Sequence, residues 1–225
     1  MRISYRHVPN TSPLFLDYLY NYERVAGFFT GSPYRLESYQ AMAERLGDSG
    51  DDRRKLGEIL VRQNQAFGAP PAILENIARL QQQGTYAVVT GQQVGLFSGP
   101  AFTIYKALTA VRVAQWLSDN GLPSVPLFWL ATEDHDLEEV ARTAVLAEDY
   151  GLVRLADRGE CPAPRSPVAR VRLTPAITET LDRLEATLPG GSTRDIVMRD
   201  LRDTYQPGTT WSQAFGRLMA RLFGR

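Results

Sequence analysis

The chain has 225 residues, of which 44% are hydrophobic and 22% are charged, and its 25 basic and 25 acidic residues cancel. This length allows one sizeable core, or a sheet domain with a helical lobe beside it. Because neither sign of charge forms a long block, the composition gives no indication of nucleic acid or a membrane surface as a partner. The single cysteine, Cys161, excludes an internal disulfide and a metal site built from several thiolates.

The amino-terminal segment lacks the apolar core of a signal peptide. No later stretch approaches the roughly 18 apolar residues that a membrane span needs. We therefore expect a cytoplasmic protein.

Helical spacing dominates the first third of the chain. Pro13 suits the first turn of a helix, and Ile73, Ile77 and Leu80 recur at intervals of three and four residues. This pattern predicts a helical amino-terminal lobe over residues 1–83.

The spacing changes from residue 84 onward, and residues 84–225 are expected to form an α/β core. Residues 86–89 and 125–131 are short apolar runs typical of buried strands, and residues 100–117 between them have a helical apolar stripe. Strands that are apolar throughout suggest a parallel sheet covered by helices on both faces. Such crossovers are almost always right-handed, so the segments that follow the two strands should meet at one edge.

The rest of the chain predicts further elements of this Rossmann-like fold. Residues 140–146 and 168–173 are candidate strands. Helices are expected over 175–188, 193–205 and 211–223.

Three glycines mark the segment after the first strand. Gly91, Gly95 and Gly99 fall within nine residues, and glycine inside an element costs roughly 0.5 to 1 kcal/mol relative to alanine, so their backbone path should be special. One interpretation is a turn required by the fold. The other is a cradle of backbone amides for a phosphate or carboxylate at the start of the next helix, with Lys106 either reaching that anion or lying in solvent. The spacing matches neither the G-x-G-x-x-G fingerprint nor a Walker motif.

The same segment contains side chains able to form hydrogen bonds, Thr90, Gln92, Gln93 and Ser98. The adjacent amides of Gln92 and Gln93 must be solvated, paired or used on a ligand, because a buried unpaired group costs about 1 to 3 kcal/mol. A surface position and a ligand contact are both open.

Four ionisable residues, Glu133, Asp134, His135 and Asp136, follow the second strand. In an extended chain, Glu133 and His135 would project to one side, and the two aspartates to the other. His135 could transfer protons or contact a phosphate. Asp134 and Asp136 could hold Mg²⁺ on a nucleotide, although Asp136 with Glu139 also resembles a helix capping box.

Residues 88–96, 98–100, 103–107 and 128–136 together resemble the cysteine ligase family of bacillithiol biosynthesis, the BshC family. The resemblance implies a cytoplasmic enzyme that uses ATP to join cysteine to the amino group of glucosaminyl malate on a Rossmann-like core. In that enzyme residues 90–95, with Ser98 and Gly99, would bind an anion supported by Lys106.

The resemblance also implies roles for the acidic cluster. His135 would transfer a proton or contact phosphate, and Asp134 and Asp136, beside Glu133, would handle a metal or an amine. Family members are more than twice as long, so we expect this chain to represent their amino-terminal part. The missing part would complete the sheet and form a homodimer, or a separately encoded second half would supply it.

Two other classes of function stay open. A noncatalytic binding or assembly module, or an inactive remnant of the enzyme, would expose an apolar surface where sheet is missing. A nicotinamide-dependent oxidoreductase is disfavoured, because its acidic residue normally lies about 20 residues beyond the glycines, whereas Glu133 lies about 40 residues beyond Gly91.

Overall fold

A computed structural model describes residues 3–46 and 50–224. Residues 1–2 and 47–49 of the expected helical lobe and residue 225 of the expected α/β core lie outside the described residues. The amino-terminal part is helical, with α1 Pro13–Tyr20, α2 Leu36–Leu46, α3 Gly50–Ala66 and α4 Pro71–Leu80. Pro13 lies in the first turn of α1, as the sequence predicts, and Pro71 has the same position in α4. The division of the chain into domains at residue 84 stays a prediction.

A parallel pair of strands joined by a helix forms the centre of the fold. The elements are β1 Tyr86–Gln93, α5 Phe102–Asp119 and β2 Ser124–Ala131. Tyr86 lies opposite Ser124, and Gln93 lies opposite Ala131. The Rossmann-like parallel arrangement with flanking helices is therefore confirmed, although β1 continues to Gln93 instead of ending at Val89.

The downstream part combines a hairpin with one short helix and three longer helices. The elements are α6 Leu137–Val140, β3 Arg142–Leu146, β4 Leu152–Ala156, α7 Ala176–Thr187, α8 Ser192–Thr204 and α9 Trp211–Phe223. The three long helices are confirmed, and β3 matches a predicted strand. Sequence analysis missed β4, which pairs antiparallel with β3.

The strand predicted over residues 168–173 is wrong. Val168–Arg170 instead forms a short 3-10 turn, and Arg172 makes only isolated bridges. Val168 and Val171 are 1% and 0% exposed. Their three-residue spacing matches one 3-10 turn, which buries both valines on the same side.

Within the described residues the cover on one face of the sheet is incomplete, although Val125 on that face is only 2% exposed. Val89 and Trp129 share one face by register and are 60% and 58% exposed. On the opposite face Phe128 contacts Phe215 of α9, with ring centroids 6.3 Å apart. Apolar strand residues indicate that a face favours burial, but they do not reveal whether the same stretch of chain covers it.

The core lies on the covered side of the sheet, between it and the carboxyl-terminal helices. Its largest fully buried side chains include Trp211, Tyr205, Phe215, Leu96 and Leu155. One core therefore contains residues of the glycine segment together with residues of the last helices. This shared packing holds the end of β1 in place.

Asp157, just beyond β4, has a buried carboxyl group with one oxygen unbonded. The residue is 5% exposed, and its Oδ1 accepts the Gly159 N–H at 2.8 Å. Its Oδ2 has no hydrogen-bond partner among the described residues. Burial raises the pKa of this carboxyl above its ordinary value, and the Gly159 amide opposes the rise only in part.

Replacing Asp157 with asparagine should therefore change how stability depends on pH. Because the folded-state pKa is raised, stability from Asp157 is fully present below the ordinary value of 3.8 and is lost as the pH rises through the folded pKa. We expect the free energy of unfolding of Asp157→Asn to gain about 1 kcal/mol on the wild type between pH 4 and pH 7 in urea denaturation.

Asp149→Asn is the matched control, because exposed Asp149 accepts the Gly151 N–H at 2.8 Å in the same kind of turn. This variant should follow the wild type at both pH values. Equal gains for the two variants would show that burial of Asp157 is not the cause.

Candidate functional site

The carboxyl ends of β1 and β2 bring an amide and two carboxylates into direct contact. Gln93 Nε2 donates to Asp134 Oδ2 at 2.7 Å and to Glu139 Oε2 at 3.0 Å. The contact follows from the register, which places Gln93 opposite Ala131, just before the acidic cluster. The predicted meeting of the glycine segment and the acidic cluster at one edge is confirmed, whereas the contribution of Glu139 was not foreseen.

Asp134 organises the loop that follows β2. Its Oδ1 accepts the backbone N–H groups of His135 and Asp136 at 2.7 and 3.1 Å. The chain therefore turns here, so the side-to-side alternation expected of an extended chain is wrong. The Gln93 hydrogen bond, followed by the two backbone amides, lowers the pKa of Asp134, which is therefore ionised at neutral pH.

Asp136 begins α6 as its N-cap. Its Oδ1 accepts the Glu139 N–H at 3.2 Å, as the capping interpretation predicts. In a full capping box the Glu139 side chain would accept the backbone N–H of Asp136. Here the Glu139 side chain accepts a hydrogen bond from Gln93 instead. Asp136 thus has a structural task, and Glu139 is directed toward the end of β1.

His135 and Glu133 lie at the solvent side of this cluster. The His135 side chain is 57% exposed, and its Nδ1 lies 3.7 Å from Asp134 Oδ1, an ion pair only when the imidazole is protonated. Glu133 is exposed. Both side chains are accessible to a ligand, and their chemical roles stay predictions.

Close packing explains the glycines at the end of β1 and in the loop that follows it. The N–H groups of Gly95 and Gly99 donate to Gln93 O and Leu96 O, both at 3.0 Å. A Cβ at Gly95 would lie 2.6 Å from the Gly99 Cα, and a Cβ at Gly91 would lie 2.7 Å from Trp129 O. The turn interpretation therefore accounts for Gly95 and Gly99, whose amides are bonded inside the loop, whereas Gly91 lies within β1 and allows close approach of the β2 backbone.

Two buried aromatic residues support this loop from the core. Trp211 Nε1 donates to Val94 O at 2.5 Å, and the Tyr205 hydroxyl lies 3.5 Å from Gly95 O. The Tyr205 ring meets Phe97 edge-on with centroids 5.1 Å apart. Burial raises the pKa of Tyr205, although backbone amides of Ser98 and Phe97 stabilise its oxygen. Sequence reasoning missed both partners, because a contact across more than 100 residues leaves no local pattern.

The loop also contains an uncommon backbone conformation. Phe97 and Ser98 have φ values of 53° and 81°, followed by Gly99 at 69°. A non-glycine residue in this region costs on the order of 1 to 3 kcal/mol, and such residues cluster at functional sites. The loop is therefore a candidate for ligand contact even though its glycines have structural tasks.

Gln92 and Lys106 form a second polar pair on the other side of the strand. Lys106 Nζ donates to Gln92 Oε1 at 3.0 Å. Consecutive strand residues project to opposite faces, so this pair is separated from the contact between Gln93 and Asp134. Thr90 lies inside β1 on the same face as Gln92. The structure therefore divides the predicted site residues between two faces of the sheet edge.

A magnesium site is not preformed among the acidic side chains. No group of three or more histidine, cysteine or acidic residues in the described parts of the chain is arranged to hold a metal. Asp134 uses both oxygens on protein donors, and Asp136 Oδ1 is used as the cap. The Mg²⁺ expected at Asp134 and Asp136 does not fit this arrangement unless those bonds break.

No helix within residues 3–46 and 50–224 has the length and apolarity to cross a membrane.

Comparison with known proteins gives a consistent match over the whole chain. Residues 1–225 match the family model described as bacillithiol biosynthesis BshC, N-terminal Rossmann-like domain. The chain is 42% identical over 219 residues to a protein of Solibacter usitatus and 38% identical over 211 residues to one of Salinibacter ruber. A third relative, from Koribacter versatilis, is 37% identical over 218 residues. All three relatives are named "Putative cysteine ligase BshC".

Each match covers most of this chain but less than half of the relative. They include 97%, 93% and 97% of this chain, but only 39%, 38% and 40% of the relatives from Solibacter, Salinibacter and Koribacter. The chain thus spans about two fifths of the length of these relatives.

Replacing Gln93 with alanine should raise the pKa of Asp134. The variant removes the hydrogen bond that contributes most to lowering this pKa and leaves two carboxylates facing each other. Carbon-detected NMR titration of the Asp134 carboxyl measures the effect. Gln92→Ala is the matched control, because its amide contacts Lys106, and it should leave the Asp134 pKa unchanged. An unchanged pKa in Gln93→Ala would show that the amide does not bind this carboxylate in solution.

Replacing Gly95 with alanine should destabilise the protein by about 1 to 3 kcal/mol, because the new methyl group would overlap the Gly99 backbone. Urea denaturation followed by circular dichroism measures the loss. Gly27→Ala serves as the control, since no atom lies within 4 Å of a Cβ there. If both variants were equally stable, close packing would not be the reason for Gly95.

Proposed function

Because this chain belongs to the family of BshC N-terminal Rossmann-like domains, we propose that it is the amino-terminal part of a cytoplasmic ligase of bacillithiol biosynthesis. The proposed reaction forms an amide between the carboxyl group of cysteine and the amino group of glucosaminyl malate, and ATP supplies the driving force. The single observation that supports this site is the contact of Gln93 with Asp134 and Glu139 at the carboxyl ends of two parallel strands. Ligand sites of α/β proteins lie at this end of the sheet.

The acidic side of the site suits an amine substrate. Both oxygens of ionised Asp134 already accept protein hydrogen bonds, so Asp134 attracts a substrate ammonium group through its charge, and exposed Glu133 offers the direct contact. The amine must lose a proton before its nitrogen attacks an activated carboxyl group. Exposed His135 is the candidate acceptor of that proton. The activated carboxyl group would form when the cysteine carboxylate attacks the terminal phosphorus of ATP and ADP leaves, and attack by the amine would then break the bond between carbon and oxygen and release phosphate. Asp136 holds the loop in position as the cap of α6.

The opposite face suits the nucleotide. Lys106 and Gln92 supply a cation and an amide there, and the strained loop ends in Ser98 and Gly99 beside the start of α5. Positive charge and hydroxyl donors bind phosphate oxygens. Because Asp134 and Asp136 are already bonded to protein donors, no step of the proposed reaction is assigned to Mg²⁺.

A noncatalytic assembly module is the second candidate function. The observation that favours it is the exposed sheet face with Val89 and Trp129, which a partner polypeptide would cover. The partner would be a second copy of this chain or a polypeptide that corresponds to the remaining part of the longer relatives.

The two candidates differ in turnover. The purified chain, alone and mixed with the carboxyl-terminal part of a longer relative, would be supplied with ATP, cysteine and glucosaminyl malate, and the amide product measured by mass spectrometry. Product formation supports the ligase. Stable association of the polypeptides with no product and no affinity for ATP or cysteine supports the assembly module.

The chain offers a matched pair of variants, because His7 and His135 are its only histidines. His135→Ala should lower kcat by about 100-fold or more through loss of proton transfer. His7→Ala removes an exposed imidazole near the amino terminus and should leave kcat unchanged. Equal kcat values for His135→Ala and the wild type would remove His135 from the mechanism.

A further inference from the structure

One buried residue at the start of α9 is hydrogen-bonded to the segments that lead to both halves of the site. The indole Nε1–H of Trp211 donates to Val94 O at 2.5 Å, and Val94 directly follows Gln93 at the end of β1. The backbone N–H of Trp211 donates to Val171 O at 2.9 Å. Because Trp211 is 0% exposed, water does not compete for these hydrogen bonds.

The contact with Val171 continues to the acidic loop through a short 3-10 turn. The Val171 N–H donates to Val168 O at 3.1 Å, and the Val168 N–H donates to Asp134 O at 2.8 Å. The next amide, that of Ala169, donates to Thr132 O at 3.0 Å. Val168 and Val171 are both buried in the core, which fixes this turn and the loop bonded to it.

These hydrogen bonds close a ring around the site. From the indole of Trp211 the ring passes through Val94 to Gln93. Gln93 Nε2 donates to Asp134 Oδ2 at 2.7 Å, and from Asp134 the ring returns through the 3-10 turn to the Trp211 backbone. The amide and the carboxylate are thus held from two sides by the same residue. Because a hydrogen bond depends steeply on its geometry, releasing either side should weaken the contact between them.

We infer that Trp211 is a positioning residue of the site and that its indole N–H sets the contact between Gln93 and Asp134. An apolar side chain of the same size would fill the core equally well but would leave Val94 O without its donor, so packing alone does not account for a tryptophan here. The value of this contact for a bound amine rests on the proposed function, whereas the geometry does not.

Site-specific replacement of Trp211 by benzothienylalanine tests the inference, because this analogue keeps the size of the ring system and lacks the N–H donor. The Asp134 pKa, measured by carbon-detected NMR titration, should rise toward its ordinary value of 3.8, since the Gln93 hydrogen bond that contributes most to lowering it is weakened. Trp211→Phe should raise the pKa in the same way. An unchanged Asp134 pKa in the folded analogue would overturn the inference.

Leu184→Ala separates positioning from loss of stability. Leu184 is a buried residue of α7, 3% exposed, and takes no part in the ring. Its truncation leaves a cavity, so the urea midpoint should fall at least as far as in the benzothienylalanine protein, while the Asp134 pKa stays unchanged. A similar rise of the pKa in both proteins would assign the effect to general loosening of the core and count against Trp211.

The wild type supplies a test that needs no substitution. Trp211 is one of three tryptophans, whose indole N–H groups give separate NMR resonances. As the pH falls through the Asp134 pKa, the carboxyl group takes up a proton and its hydrogen bond with Gln93 weakens, so the Trp211 indole resonance should shift with the same midpoint. The Trp116 resonance should not follow it, because that ring lies in α5 against Tyr39. A Trp211 resonance that is constant through this titration would refute the inference.

Both readouts are independent of turnover. If the pKa and the indole resonance behave as expected and the wild type forms no amide product, the inference stands and the proposed reaction is removed. If product forms while both readouts stay constant, the reaction stands and Trp211 has no positioning role.

Discussion

The parallel pairing of β1 with β2 is the constraint on which the site depends. Its register sets Gln93 opposite Ala131, so one neutral amide reaches two carboxylates that follow β2, those of Asp134 and Glu139. A slip of one residue would turn Gln93 to the opposite face and leave the carboxylates unbridged. Because its N–H donors reach both carboxylates, the amide reduces the repulsion between the two acids and lowers the pKa of Asp134.

The loop after β1 depends on a different part of the chain. Phe97 and Ser98 occupy a costly backbone region, and that cost must be offset by contacts that the alternative conformations lack. Trp211 and Tyr205 supply such contacts from the carboxyl-terminal helices, through Val94 and the loop backbone. The strained loop is therefore stable only when α8 and α9 are in place, which couples the shape of the site to folding of the whole core.

The sequence predicts the geometry where its signals are local. Apolar periodicity and the handedness of crossovers were sufficient to bring Gln93 and Asp134 to one edge. The same reasoning failed for residues 168–173, where the chain forms a short 3-10 turn and not a strand. In so short a segment, apolar residues three positions apart cannot be told from the apolar pattern of a strand. It also missed the hydrogen bond between Trp211 and Val94, because the two residues are distant in the chain. It did not foresee that Val89 is exposed, because an apolar residue does not reveal which polypeptide covers it.

The division of charge across the strand edge has a chemical consequence. Gln92 holds Lys106 on one face, and Gln93 holds Asp134 on the other. Had both charges shared a face, they would form an ion pair and neutralise each other, and a ligand would have to displace that pair before binding. Separation by adjacent glutamines keeps a cation for phosphate oxygens and an anion for an amine within one strand end. Groups of opposite charge are thus available to ligands near the same strand end without neutralising each other.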